Sequence, residues 1–210
     1  MKKEKVSSAV IRRLPRYYRH LTDLSLAGVV RISSSALGKA MNLTASQIRQ
    51  DLSCFGEFGQ QGYGYNVESL RGEVAEILGM DQNHTAVILG VGNLGRALME
   101  NFHFDRSGFR LAAAFDVDPG LIGRTVSGVK VYPVDQLEDY LEHTAISVGV
   151  LTVPRAAAKP MAEQLVAAGV KGIWNFTNAD IHSRDTGVVV ENVHFADSLL
   201  ALSYMISEET

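Results

Sequence analysis

The sequence has little cysteine and no long apolar run. Its single cysteine, Cys54, excludes an internal disulfide framework and any metal site built from several cysteines. The longest apolar run, over residues 145–153, is interrupted by a serine and a glycine. It is shorter than the ~18 residues that a membrane span needs. The first residues, MKKEK, are not followed by the apolar stretch of a signal peptide. We therefore expect a cytoplasmic protein without a membrane anchor, a disulfide or a metal site.

Net charge is also small, at −3, but it is unevenly distributed. Residues 1–55 hold ten Lys or Arg and three Asp or Glu, a net charge of +7, whereas residues 81–210 carry −7. A basic segment beside an acidic body indicates a module that binds a polyanion next to another domain. An ordinary solvated helical surface explains the asymmetry equally well when charge is the only observation.

Residues 1–80 are expected to form a small helical domain. Four helical segments are predicted: residues 7–14, Pro15 to near Gly28, the serine run at 33–35 to about Met41, and Thr44 to Phe55. Thr44 and Gln47 give the T-x-x-Q pattern of a capping box. The segment 56–65, rich in glycine and aromatic residues, suggests a short hairpin, and Asn66 can cap a helix over residues 67–78. Helices followed by a glycine-rich hairpin are the outline of a winged helix.

From Thr85 onward, short apolar runs alternate with amphipathic segments. Strands are predicted over residues 86–90, 111–116, 145–153, 172–176 and 188–191, and helices over 94–104, 134–141, 155–168 and 196–208. This alternation indicates βαβ units and a parallel sheet. The predicted class is α/β, with a winged-helix domain at 1–80, a doubly wound Rossmann domain at 81–195 and a C-terminal helix at 196–210.

A dinucleotide-binding motif opens the second domain. The run Gly90-Val91-Gly92-Asn93-Leu94-Gly95 follows an apolar strand and begins a helical segment, and Asp116 lies 21 residues beyond Gly95. In such a motif the glycines permit a tight turn, the approach of a pyrophosphate and close packing of helix and strand. The carboxylate of Asp116 would accept bonds from the ribose hydroxyls and repel a 2′-phosphate, which predicts NADH and NAD⁺ over the phosphorylated cofactors. A glycine-rich turn in another α/β fold is the alternative.

Ligands of parallel sheets bind beyond the carboxyl ends of the strands. That rule selects two segments as walls of the nicotinamide side: Thr152-Val153-Pro154 and Asn175-Phe176-Thr177. Each of these residues is explained equally well as an ordinary residue at the point where a strand ends and a loop begins. The histidines are not combined with Asp and Arg in a catalytic pattern. After the dinucleotide motif, too little chain remains for a separate catalytic domain. Cys54 lies beside Phe55, which suggests a buried structural thiol. No catalytic residue is predicted. A small NAD-dependent oxidoreductase and a CoA- or nucleotide-binding subunit remain as alternatives.

The fourth helical segment is the predicted recognition helix. It would present Ser46, Gln47, Arg49 and Gln50 to the major groove, while Ile48 and Leu52 pack inward at i, i+4. Further DNA contacts are expected from Arg12 and Arg16 at helical spacing, and from Gln60, Gln61 and Tyr63 in the wing. A solvated helix face is the alternative for the arginine row.

Several motifs together resemble the Rex family of redox-sensing transcriptional repressors. They are RLPRYYR at 13–19, QIRQDL at 47–52, FG at 55–56, GYGYNV at 62–67, GVGNLG at 90–95 and FD at 115–116. The resemblance spans essentially the whole chain. It implies a homodimer that binds a pseudo-palindromic operator and releases it when NADH binds. It also implies that the C-terminal helix is exchanged and packs between the two domains of the other subunit.

The resemblance assigns roles to further residues. Arg13 and Asp197 would form a signalling contact between the DNA-binding module and the exchanged helix, and Phe195 would approach the nicotinamide of the other subunit. The family commonly has a tyrosine beside the nicotinamide where this chain reads Glu100-Asn101-Phe102, so the network is expected to be rebuilt here with Asn101 or Phe102 in its place. The family often has a basic residue in the wing where Gln60 and Gln61 stand, which predicts a weaker salt dependence of DNA binding.

Overall fold

A computed structural model of the protein describes residues 6–59, 63–182 and 186–208. The chain forms two compact units, of which the first ends at Asp81 and the second begins at Gln82. Each unit is built around its own buried core, as the predicted α/β class with two different domains requires.

The described residues of the N-terminal unit form four helices and a two-stranded antiparallel sheet. Its elements are α1 (Ser8–Leu26), β1 (Arg31–Ile32), α2 (Ser34–Met41), α3 (Ala45–Ser53), β2 (Tyr65–Asn66) and α4 (Val67–Ile77). The predicted caps are confirmed. Ser33 accepts a bond from the Ala36 amide, and both bonds of the capping box between Thr44 and Gln47 are present. Polar side chains therefore set where α2 and α3 begin.

The structure corrects three expectations for this unit. The helices predicted on either side of Pro15 are one helix, α1, because Leu14, Tyr17 and Leu21 form a single buried stripe. The hairpin predicted within 56–65 is corrected at its last residue, because β2 pairs with β1 and places Tyr65 opposite Ile32. The middle of that hairpin, at 60–62, lies outside the described residues. Cys54 is exposed rather than buried, because it follows the last residue of α3 and lies off the buried face of that helix.

The C-terminal unit is built on a seven-stranded sheet with the order β5-β6-β4-β3-β7-β8-β9. The strands are β3 (His84–Leu89), β4 (Phe109–Asp116), β5 (Thr125–Val126), β6 (Val129–Pro133), β7 (Val148–Leu151), β8 (Gly172–Asn175) and β9 (Val189–Asn192). All neighbours are parallel except β5 and β6. The strand order reverses between β3 and β7, which is the place where doubly wound sheets bind their ligands.

The helices of this unit are α5 (Asn93–Asn101), α6 (Leu137–His143), α7 (Arg155–Ala167) and α8 (Phe195–Glu208). Strands β5 and β6 were not predicted, because they are short and each retains exposed residues, so that no apolar run marks them. Helix α8 differs from the others, because none of its residues is buried within the chain. Seven of its large apolar side chains are half-exposed or more: Phe195, Leu199, Leu200, Leu202, Tyr204, Met205 and Ile206. Within the described residues, no helix is both long enough and apolar enough to span a membrane.

Candidate functional site

The glycine-rich turn lies between β3 and α5, at the carboxyl edge of the sheet. Gly90 has a φ of +96°, and a Cβ there would lie 2.9 Å from the carbonyl oxygen of Thr152. A Cβ on Gly95 would overlap the carbonyl oxygen of Gly90. Gly92 has only open space beside it, and no side chain caps α5. The amides of the first helical turn and the open approach over Gly92 fit the pyrophosphate of a dinucleotide.

Asp116 ends β4 beside this turn, as the spacing predicts. Its Oδ2 accepts a bond from the Val91 amide at 2.5 Å, and its Oδ1 accepts bonds from the amides of Val117 and Asp118 at 2.7 and 2.9 Å. The carboxylate therefore holds the glycine turn as well as its own loop. A carboxylate offers about four acceptor positions, so one position is left for a ribose hydroxyl.

Thr152, at the carboxyl end of β7, ties the neighbouring strand to the same turn. Its hydroxyl lies 3.0 Å from the carbonyl oxygen of Leu89 and 2.7 Å from that of Gly90. Pro154 is the N-cap residue of α7, and Val153 packs partly buried against the core. The predicted segment 152–154 therefore lies at the switch point of the sheet, and its polar member stabilises the turn.

Asn175 is fully buried, and its side chain is fully used within the protein. Nδ2 donates to the carbonyl oxygen of Ala179 at 2.6 Å and to Oδ1 of Asn192 at 2.7 Å. Oδ1 accepts bonds from the amide and the hydroxyl of Thr177. A neutral amide has no further donor in this arrangement. The side chain therefore holds the loop after β8 against β9, and only its backbone remains for a ligand.

Aromatic rings continue from this loop to the start of α8. The ring of Phe176 lies 4.5 Å from that of Trp174 in an edge-on contact. It lies 6.1 Å from the ring of Phe195, and those two rings are stacked. Phe195 thus stands beside the predicted nicotinamide wall of its own chain. Asn101 donates to the carbonyl oxygen of Ala97 in its own helix, and Asp197 lies exposed in the first turn of α8.

The predicted recognition helix α3 presents a polar face to the outside. Ser46, Gln47, Arg49 and Gln50 are exposed, whereas Ile48 and Leu52 are buried. Arg49 donates to the hydroxyl of Ser34 at 3.0 Å, which links α3 to the start of α2. The spacing of the apolar residues therefore predicted the two faces of α3 correctly.

The other predicted DNA contacts surround this helix. Arg12 and Arg16 are exposed on α1, and Arg16 donates to the carbonyl oxygen of Met41 at the end of α2. Tyr63 is 70% exposed. Gln60 and Gln61 lie outside the described residues, so the prediction about the wing stays a prediction.

Arg13 binds Asp51 on α3. Its Nε and Nη2 contact the two carboxylate oxygens at 2.6 and 2.7 Å, and the hydroxyl of Tyr17 donates to Oδ2 at 2.9 Å. Burial, followed by the bond to Asp51, raises the pKa of Tyr17 far above its ordinary range. The bond to Asp51 raises the pKa of Arg13 as well. Asp51 was not among the predicted site residues. The available signal was a charged residue at a position that the helical pattern expects to be buried.

Comparison with known proteins identifies both units. A profile described as "Putative DNA-binding protein N-terminus" matches residues 5–53, and one described as "CoA binding domain" matches residues 81–179. Proteins named "Redox-sensing transcriptional repressor Rex" are similar over almost the whole chain. The one from Caldicellulosiruptor saccharolyticus is 49% identical, and the match covers 99% of this chain and 94% of that protein. The one from Clostridium novyi is 48% identical, with 98% of each chain covered.

Solved structures agree with these sequence relatives. The structure described as RSP in complex with β-NAD⁺ and operator DNA has a TM-score of 0.91 and 48% identity, and the match covers 98% of this chain and 94% of that one. RSP in complex with β-NADH gives a TM-score of 0.89 at 46% identity, with 97% and 95% covered. Both the sequence and the fold therefore show that this chain belongs to the Rex family of redox-sensing transcriptional repressors.

Proposed function

We propose that this chain binds operator DNA through the exposed face of α3 and releases it when NADH occupies the C-terminal unit. The observation that carries the proposal is the presence, in one chain, of an uncapped glycine turn that fits a dinucleotide and an exposed polar face on a capped helix. The related RSP has been described both with β-NAD⁺ and operator DNA together and with β-NADH, which supports these two ligands as regulators here.

The two cofactors differ in the charge and planarity of the nicotinamide ring. A ligand shifts a conformational equilibrium only by its different affinity for the two states. The rings of Phe176 and Phe195 stand where that difference would be sensed, between the end of β8 and the start of α8. The exposed apolar side chains of α8 support its exchange with a second subunit in a homodimer, because so many are rarely left in water. Two subunits would present two α3 helices to a pseudo-palindromic operator.

Regulation is favoured over catalysis as the use of the cofactor. The relatives are named repressors, and Thr152, Asp116 and Asn175 are all engaged in holding backbone segments. His194 contacts Asp180 at 2.9 Å, but both lie on the loops that lead to and from β9. We therefore propose no enzymatic activity, and we place the protein with the DNA in the cytoplasm. Steady oxidation of NADH with small carbonyl substrates would instead support the oxidoreductase alternative.

Operator binding across a series of NADH/NAD⁺ ratios tests the proposal. A duplex selected by the protein from a random pool serves as operator, and binding is followed by fluorescence anisotropy. We expect NADH to release the duplex at concentrations where NAD⁺ does not, and equal effects of both cofactors would contradict redox sensing. Arg49→Ala should abolish operator binding and leave NADH binding intact. Loss of both would indicate misfolding.

Selectivity for the unphosphorylated cofactor tests the role of Asp116. Asp116→Ala removes the carboxylate that would repel a 2′-phosphate, so we expect the preference for NADH over NADPH to fall. The affinity for NADH itself also falls, because the bond to the Val91 amide is lost. An unchanged preference would remove Asp116 from the ribose site.

A further inference from the structure

The N-terminal unit carries a charged contact at the centre of an otherwise apolar core. Asp51 is 3% exposed and lies on the buried face of α3 with Ile48 and Leu52. Its two oxygens accept hydrogen bonds from the guanidinium of Arg13 and from the hydroxyl of Tyr17, and both of these residues lie on α1. Among the described residues of this unit, Asp51 is the buried charged side chain, and its neighbours in the core, such as Leu37 and Val74, are hydrophobic. Three directed bonds therefore join α1 to the helix that carries the proposed DNA-binding face.

Stability alone does not explain such a contact. Replacing a buried ion pair with well-packed apolar side chains is often neutral or stabilising, because the charges must be removed from water. What apolar contacts lack is direction. They tolerate small rotations and shifts of one helix on another, whereas a bidentate pair between guanidinium and carboxylate fixes both distance and angle.

We infer that Arg13 and Tyr17 are positioning residues, which act through Asp51 to set the orientation of α3 and thereby its fit to operator bases. The inference rests on the proposed function of α3. Asp51 lies one position beyond Gln50 and two beyond Arg49, so a rotation of the helix about its axis at Asp51 moves both exposed side chains. This role differs from the signalling contact with Asp197 that the family resemblance implies for Arg13.

Operator specificity separates positioning from stability. The measured quantity is the ratio of affinities for the selected operator duplex and for a scrambled duplex of the same composition. A variant that merely unfolds part of the population lowers both affinities by one factor and leaves the ratio unchanged. A variant that misorients α3 loses base contacts and keeps phosphate contacts, so the ratio falls.

Two variants of the full chain carry the test. Arg13→Lys keeps the positive charge and removes the bidentate contact with Asp51. The double variant Arg13→Met with Asp51→Leu fills the site with apolar atoms. We expect the double variant to bind NADH normally and to lose some stability, because the buried hydroxyl of Tyr17 is left without its acceptor. Its specificity ratio should fall about tenfold, equivalent to ~1.4 kcal/mol. Arg13→Lys should give a smaller loss in the same direction, and it keeps the test decisive if the double variant does not fold.

The matched control is Glu68→Gln. It removes an exposed ion pair with Arg71 in the same unit, so the specificity ratio should stay at the wild-type value. An unchanged ratio in Arg13→Lys, with the wild type preferring its operator, would overturn the positioning role. A wild type that shows no preference for any selected duplex would instead contradict the proposed function.

Discussion

The two units of this chain build their sites by opposite means. In the N-terminal unit, side chains orient a helix: a capping box begins α3, and the Arg13–Asp51 pair holds it to α1. In the C-terminal unit, the backbone itself forms the site. There the side chains of Thr152 and Asp116 serve to hold the glycine turn. The difference suits the ligands, because bases are distinguished by side chains, whereas a pyrophosphate is bound by amides in any sequence.

The largest expected effect is on the backbone-built site. In Gly95→Ala the new Cβ meets the carbonyl oxygen of Gly90, a backbone atom that cannot move aside as a side chain can. We expect NADH binding to be lost and the C-terminal unit to be destabilised by at least ~3 kcal/mol. Calorimetry with and without NADH measures both. The control is Gly92→Ala, where the Cβ meets nothing, so stability should persist while NADH binding weakens. A wild-type melting profile for Gly95→Ala would show that the turn is more adaptable than its contacts indicate.

This contrast also explains what the sequence could predict. Patterns that depend on neighbouring residues were correct, including the capping box at Thr44 and the two faces of α3. The glycine turn and Asp116 were found because they belong to a motif of known spacing. The bond from Asn175 to Asn192 and the pair of Arg13 with Asp51 join residues 17 and 38 positions apart. Neither local periodicity nor a motif of known spacing carries information about these contacts. Pro15 suggested a helix start, but burial along one stripe of α1 outweighed that local preference.

A smaller loss is expected at Asn175, a buried polar side chain of the C-terminal unit. Asn175→Ala removes four hydrogen bonds and leaves Oδ1 of Asn192 and the carbonyl oxygen of Ala179 with fewer donors. We expect this unit to lose about 2–3 kcal/mol of unfolding free energy in urea. Asn101→Ala is the control, because that exposed amide bonds only to its own helix, and it should change stability by no more than ~0.5 kcal/mol. Equal values for the two variants would remove Asn175 as an anchor of the loop.

The N-terminal unit should instead respond to alkaline pH. Because folding raises the pKa of Tyr17 above its ordinary value of 10, the stability that this group contributes is complete below pH 10 and declines as pH rises further. Tyr17→Phe should cost about 1.5 kcal/mol at neutral pH through the lost bond to Asp51. It should also weaken the alkaline loss. Tyr63→Phe, at an exposed site of the same unit, should retain the wild-type pH dependence. Identical pH profiles for wild type and Tyr17→Phe would contradict the prediction.

The smallest effect is a gain, and it separates stability from orientation in the N-terminal unit. Gly72 lies exposed within α4, and a Cβ there would contact nothing. Gly72→Ala should therefore stabilise this unit by ~0.5–1 kcal/mol through helix propensity and a less flexible unfolded chain. Operator affinity should not change, because α4 does not set the orientation of α3. Added to Arg13→Lys, the same substitution should raise the melting temperature without recovering operator specificity. If specificity recovers together with stability, then α3 needs only a folded unit beneath it, and the directed bonds from α1 contribute nothing more than free energy.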